Sequence, residues 1–113
     1  MNSFTNKRLA LPALIPVGTP STVYVTPANT TTIITVITVA HTAPSSGSIT
    51  SSMYLCPANA DPSDANALFK DIPVDPQSVV NFNFGQAIQQ TDTIKVVASS
   101  LGLTLHLSGI EIL

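Results

Sequence analysis

Residues 29–42, NTTTIITVITVAHT, carry no charge and, apart from Ala40, no good helix former. Threonine, isoleucine and valine are β-branched, so they lose side-chain freedom in a helix and pack well on a pleated surface. The stretch is therefore committed to an extended strand. Its apolar residues fall on both parities, Ile34 and Val36 on one, Ile33, Ile37 and Val39 on the other. Successive strand side chains point to opposite faces, so such a strand is either covered twice or turned over by a bulge. An open, charge-free edge here would be an aggregation hazard. This favours an assembly that covers the strand over a lone monomer.

From residue 21 onward, apolar runs alternate with turn residues. STVYV (21–25) ends at Pro27, and TTTIITVITVAHTA (30–43) ends at PSSG. SITSSMYLC (48–56) places Ile49, Met53 and Leu55 on one face; NALFKDIPV (66–74) follows. SVVNFNF (78–84) sets Val80, Phe82 and Phe84 opposite Asn81 and Asn83. DTIKVVAS (92–99) and LTLHLSGIEIL (103–113) complete the series. In the last run Leu103, Leu105 and Leu107 share a face while Ile110 and Ile112 take the other parity. Gly109 therefore reads as a bulge that resets the register. The longest break, PANADPSDANA (57–67), suits one helical turn capped by Asp61 or Ser63. Seven strands and no convincing helix imply an all-β fold, a single β-sandwich of jelly-roll or immunoglobulin-like type, or a small barrel.

Residues 1–20 read differently. Pro12, Pro16 and Pro20 fall at four-residue steps, and each fixes φ and removes a donor. The segment is expected as an extended N-terminal arm (1–20) beside a sandwich domain (21–113). Leu9, Leu11, Leu14, Ile15 and Val17 are costly to leave in water, so the arm should lie on its own domain or on another subunit. Lys7 and Arg8 serve either the arm's solubility or contact with an acidic partner surface. The prolines interrupt the apolar run and no small-x-small site follows, which argues against a secretory signal. Nothing approaches the ~20 apolar residues of a membrane-spanning helix.

Composition narrows the function classes. A chain of 113 residues fits one domain. Charged residues are 9%, against about 25% in ordinary globular proteins. Four cations, a net charge of −2 and no tryptophan speak against nucleic-acid binding, which draws on several Lys or Arg contacts to phosphate. The single cysteine, Cys56, excludes an internal disulfide, and nothing around it, His41 or His106 suggests an activated nucleophile. Asp61, Asp64, Asp71 and Asp75 lack the alternating spacing and glycine of a calcium loop; solvated loop acids explain them. NTT at 29–31 matches the glycosylation sequon, which matters only in a eukaryotic secretory route. No phosphate-loop, zinc or nucleophile-elbow motif occurs. The expectation is a protein that is not an enzyme and has no cofactor or metal.

Taken in order, VYVTPANTTTIITVITVAHT, SITSSMYLCPA, DANALFKDIPV, QTDTIKVVASS and LTLHLSGIEI resemble small β-sandwich virion proteins of tailed bacteriophages, of the capsid decoration (cement) type. The resemblance spans about four-fifths of the chain and leaves out the arm. One departure is QQTD (89–92), which has no glycine where a tight Gly-Asp turn is expected. The resemblance implies a structural protein made in the host bacterial cytoplasm and carried on the outer capsid surface. It further implies a homotrimer bound between subunits of the major capsid protein, without nucleic acid or membrane. Arms in such proteins commonly reach onto capsid protein, so Lys7, Arg8, Leu9, Leu11, Leu14 and Ile15 are the expected contact residues. The alternative is a receptor- or glycan-binding module of a head or tail fibre, disfavoured by 5% aromatic content. A lysis hydrolase lacks paired acids.

Overall fold

Eight strands form among the described residues: β1 Phe4–Leu14, β2 Ser21–Val25, β3 Thr31–His41, β4 Ile49–Cys56, β5 Ala67–Val74, β6 Val79–Ile88, β7 Thr93–Ala98 and β8 Leu103–Ile112. The computed structural model describes residues 4–42 and 47–113, apart from the side chains of Phe4, Leu11, Pro12 and Phe84. The seven runs read from the sequence are seven of these strands, and the eighth is the proline-spaced segment expected as an arm.

The pairing is nested. β4 pairs with β5, β3 with β6, β2 with β7 and β1 with β8, all antiparallel. The chain is thus one long ribbon folded back at the 57–66 loop. Rolling it up brings β8 against β3 and β7 against β4. Two four-stranded sheets result, in the orders β1-β8-β3-β6 and β2-β7-β4-β5. This rolled ribbon of eight strands is the jelly roll, which strand count alone did not separate from an immunoglobulin-like sandwich.

β3 lies between β8 and β6, so neither edge of the threonine-rich strand is open. Thr32 and Ile34 are buried, and beyond Thr35 the buried set moves to Ile37, Val39 and His41. Register against β8 shifts at that point: Ile34 faces Gly109 and Val36 faces Ser108. Thr35 is therefore an extra residue that turns the strand over. Much of the cover this strand needs comes from its own sandwich rather than from a neighbour.

The bulge expected at Gly109 lies elsewhere. Gly109 is buried on the same face as Leu103, Leu105 and Leu107, and β8 runs through it without an extra residue. The extra residues belong to its neighbours, Thr35 on β3 and Leu9 on β1, where Arg8 faces Ser108 and Ala10 faces Leu107. A Cβ on Gly109 would stand 2.8 Å from Leu9 Cδ1 and closer still to the Ile33 carbonyl oxygen. The glycine is required for close approach. Ile110 and Ile112 are half-buried.

The core runs between the sheets, with Ile34, Ile37, Met53, Ile88, Ile94, Val96, Leu103 and Leu107 among its fully enclosed side chains. Leu9 and Ile15 belong to the same cluster, so the proline-spaced segment packs on its own domain. In the 57–66 loop a 3-10 turn covers Asp64–Asn66 with Ser63 at its N-cap, but no side chain caps it.

Candidate interaction surface

A two-layer sandwich has two open sides, and this one closes them differently. On the β5–β6 side Phe69 and Phe82 stack across the sheets, centroids 4.5 Å apart and 7° from parallel. On the β1–β2 side stand Ala10 and Ala13, too small to meet the facing sheet. They leave an apolar cleft of about 220 Å³, also lined by Leu14, Ile15, Val23, Val96 and Leu105. Register against β8 slips twice along β1, between Arg8 and Ala10 and between Ala10 and Ala13. The second slip flanks Pro12, which cannot donate to a ladder.

At Leu14 and Ile15 the cleft adjoins the turns that follow β1 and β7. Turns 15–20 and 99–102 are stitched together there: Ile15 N–H donates to Leu103 O (2.8 Å) and Ala98 N–H to Pro16 O (2.9 Å). Leu14 is 55% exposed, and Val17 and Leu101 in these turns are 47% and 62% exposed. Exposed apolar residues gathered beside an apolar cleft are the usual mark of an interaction surface.

The residues expected to make contacts are divided by the fold. Leu9 and Ile15 are buried in the chain's own core, Ile15 at the floor of the cleft. Leu14 is exposed at the rim of the cleft, and Arg8 is exposed on β1. The Leu11 side chain lies outside the described residues. Lys7 pairs with Glu111 at 3.2 Å. Ala10, Ala13 and Val23 were not singled out, because small residues that leave space have no signature of their own; the ALPA run around Pro12 was the available hint.

Glu111 accepts a second bond from the Tyr24 hydroxyl (2.5 Å), which also shares one with Thr32 Oγ1 (2.8 Å). The cluster joins β2 of one sheet to β3 and β8 of the other. Burial, followed by the bond to Glu111, pushes the Tyr24 hydroxyl up to about 12. The same bond, then Lys7, holds the Glu111 carboxyl below its ordinary value against an opposing effect of burial. This is a structural clasp between layers.

The remaining candidates stay apart. Cys56 is buried, and burial pushes its thiol up, away from the reactive thiolate. His41 is buried with Nε2 2.8 Å from Gly47 O, while His106 is exposed on β8. Asp64 pairs with Lys70. The Asp71 N–H donates to Ser52 Oγ, and Asp75 O accepts from Ser78 N–H. Among the described residues no group of three or more His, Cys, Asp or Glu is placed to hold a metal.

No protein-family model matches this chain, and no curated protein matches it. Solved structures do. A chain from the structure of infectious bursal disease virus, Gx strain, aligns with all of this chain at TM-score 0.56 and 10% identity. One from the Gt strain aligns over the same extent at TM-score 0.52 and 10% identity. This chain covers 32% and 33% of those chains, about a third of their length. At such identity the likeness is one of fold, an all-β sandwich also present in a virus structure.

Proposed function

We propose that the chain is a non-catalytic structural protein of a virus particle, a capsid decoration protein of the tailed-bacteriophage kind seated on the major capsid protein. The observation that carries this reading is the β1–β2 side, which its own fold leaves apolar and open beside exposed Leu14, Val17 and Leu101. Fully burying such side chains stabilises by about 1.5–3 kcal/mol each; from their half-exposed state the three contribute on the order of 3 kcal/mol per copy. Binding that favours the assembled lattice stabilises it by mass action. The finer details, a homotrimer on the outer surface of a particle assembled in a bacterial host, come from the resemblance of the strand motifs.

The test uses Leu14→Asp combined with Leu101→Asp. Both side chains are a little over half exposed, so losing their buried part costs about 2 kcal/mol in all, and the thermal midpoint should fall by no more than about 8 °C with cooperative unfolding retained. Co-sedimentation with capsids lacking the protein should fall at least tenfold. Unchanged occupancy would reject this surface, and light scattering that finds a single 11.8 kDa chain would reject the trimer.

A further inference from the structure

The ten residues of β6 hold no charge and no proline, and among the described residues no strand pairs with its outer edge. We propose that a second copy of this chain pairs with that edge, β6 to β6 and antiparallel, about a two-fold axis at Asn81. The contact lies on the β5–β6 side of the sandwich and is independent of the attachment proposed above.

Open strand edges recruit further strands, and proteins guard them with charge, proline, shortness or irregular backbone. The other three edges of this sandwich are guarded in these ways. β1 carries Lys7, Arg8 and Pro12, and β2 is only five residues long. β5 carries Lys70, Pro73 and Asp71, whose φ of 52° breaks the regular extended backbone. β6 has one irregularity, where Asn83 faces Val36 but Gln86 faces Ile34. The straight stretch before it is 79–83, and its middle residue is Asn81. His41 N–H donates to Ser78 O (2.9 Å), and bonded and non-bonded partners alternate along an antiparallel pair. Val80 and Phe82 therefore bond to Val39 and Ile37 on β3, while Val79, Asn81 and Asn83 turn their N–H and C=O groups outward. The bond from Thr38 Oγ1 to Asn81 Oδ1 (2.7 Å) fits the closer side chains of a non-bonded pair.

Three observations select a second copy as the occupant. The edge is uncharged, so two copies meet without repulsion and a charged segment finds nothing to pair with. A two-fold axis at Asn81 sets Val79 against Asn83 and Asn81 against its own counterpart. All three are outward-facing residues, and they exchange about six backbone bonds. The same axis lays Val80 of one copy beside Phe82 of the other, and both side chains are only half-buried against their own core. The β5–β6 side lies across the sandwich from the cleft, so a copy attached through the cleft still offers β6 to a neighbour.

The experiment follows the mass of the purified full chain by light scattering from about 5 to 500 μM, with amide hydrogen exchange read by NMR. The contact is short, so a Kd on the order of 10–100 μM is expected. The mass should double across the range, whatever its value when dilute, and the amides of Val79, Asn81 and Asn83 should gain protection together. Asn81→Lys sets two ammonium groups against each other on the axis and should raise the Kd at least tenfold. That side chain is exposed, so the thermal midpoint of the dilute variant should stay within about 3 °C of wild type. Asn83→Pro removes an outward N–H and spares the bonds to β3, and should weaken the doubling likewise. A mass that never doubles, doubling that survives both variants, or protection of the three amides only on capsids would overturn the proposal.

Discussion

Gly109→Ala tests the packing logic most directly, because it adds one carbon where three strands converge. That carbon would lie 2.8 Å from Leu9 Cδ1, 3.3 Å from the Ile33 carbonyl carbon and nearer still to its oxygen. Leu9 ends in a flexible methyl, but Ile33 is backbone of the central strand and must itself move. Moving it strains the ladder that pairs Ile33 with Ile110 and Ile34 with Gly109. Weakening two backbone bonds costs about 2 kcal/mol and overpacking a further 1–3. Relief of the glycine's own entropic cost offsets about 0.5–1, leaving a loss of about 3 kcal/mol. At ~2.1 cal/mol/K per residue the unfolding entropy of this chain is about 240 cal/mol/K, so the thermal midpoint should fall by roughly 12 °C in calorimetry. Gly85→Ala is the control, with nothing within 4 Å of its added Cβ, and should change the midpoint by less than about 3 °C. If Gly109→Ala is equally mild, the close-approach argument is wrong.

Three further outcomes follow from the same structure. Glu111 has a folded value below its ordinary one, so its contribution is full above pH about 4.5 and is lost as pH falls through the folded value. Tyr24 is raised, so its contribution is full below pH about 10 and is lost as pH rises toward about 12. Glu111→Gln should therefore flatten the acid limb of urea stability and weaken the alkaline one, and an unchanged pH profile would remove the clasp. Phe69→Ala should cost about 3–4 kcal/mol in chemical denaturation, and a loss under 1 kcal/mol would mean that the stack with Phe82 does not close its side. Deleting residues 1–17 strips β1 from β8 and takes Leu9 and Ile15 from the core, which should abolish cooperative unfolding in circular dichroism. A truncated chain that melts like wild type would show that β1 stands outside the cooperative core.

Local chemistry in the sequence carried the strands themselves. β-branched runs bounded by Pro, Gly and Asn turns mark β2 to β8 to within a few residues, since both strand preference and turn preference act over short distances. Apolar residues on both parities of β3 also announced that the strand must be covered or turned over. Which of these happens was decided by the tertiary structure, because a bulge at Thr35 has meaning only against Gly109 and Ser108 on β8, some seventy residues away in the chain. Gly109 itself was legible as special but not as a point of close approach, which depends on Leu9 and Ile33 arriving from two other strands. The same holds for β1. Extended geometry around Pro12 follows from proline, whereas the place of Leu9 and Ile15 in the core follows from β8 offering its edge to β1. The cleft at Ala10 and Ala13 is the absence of a neighbour, and an absence is defined only once every other side chain has been placed.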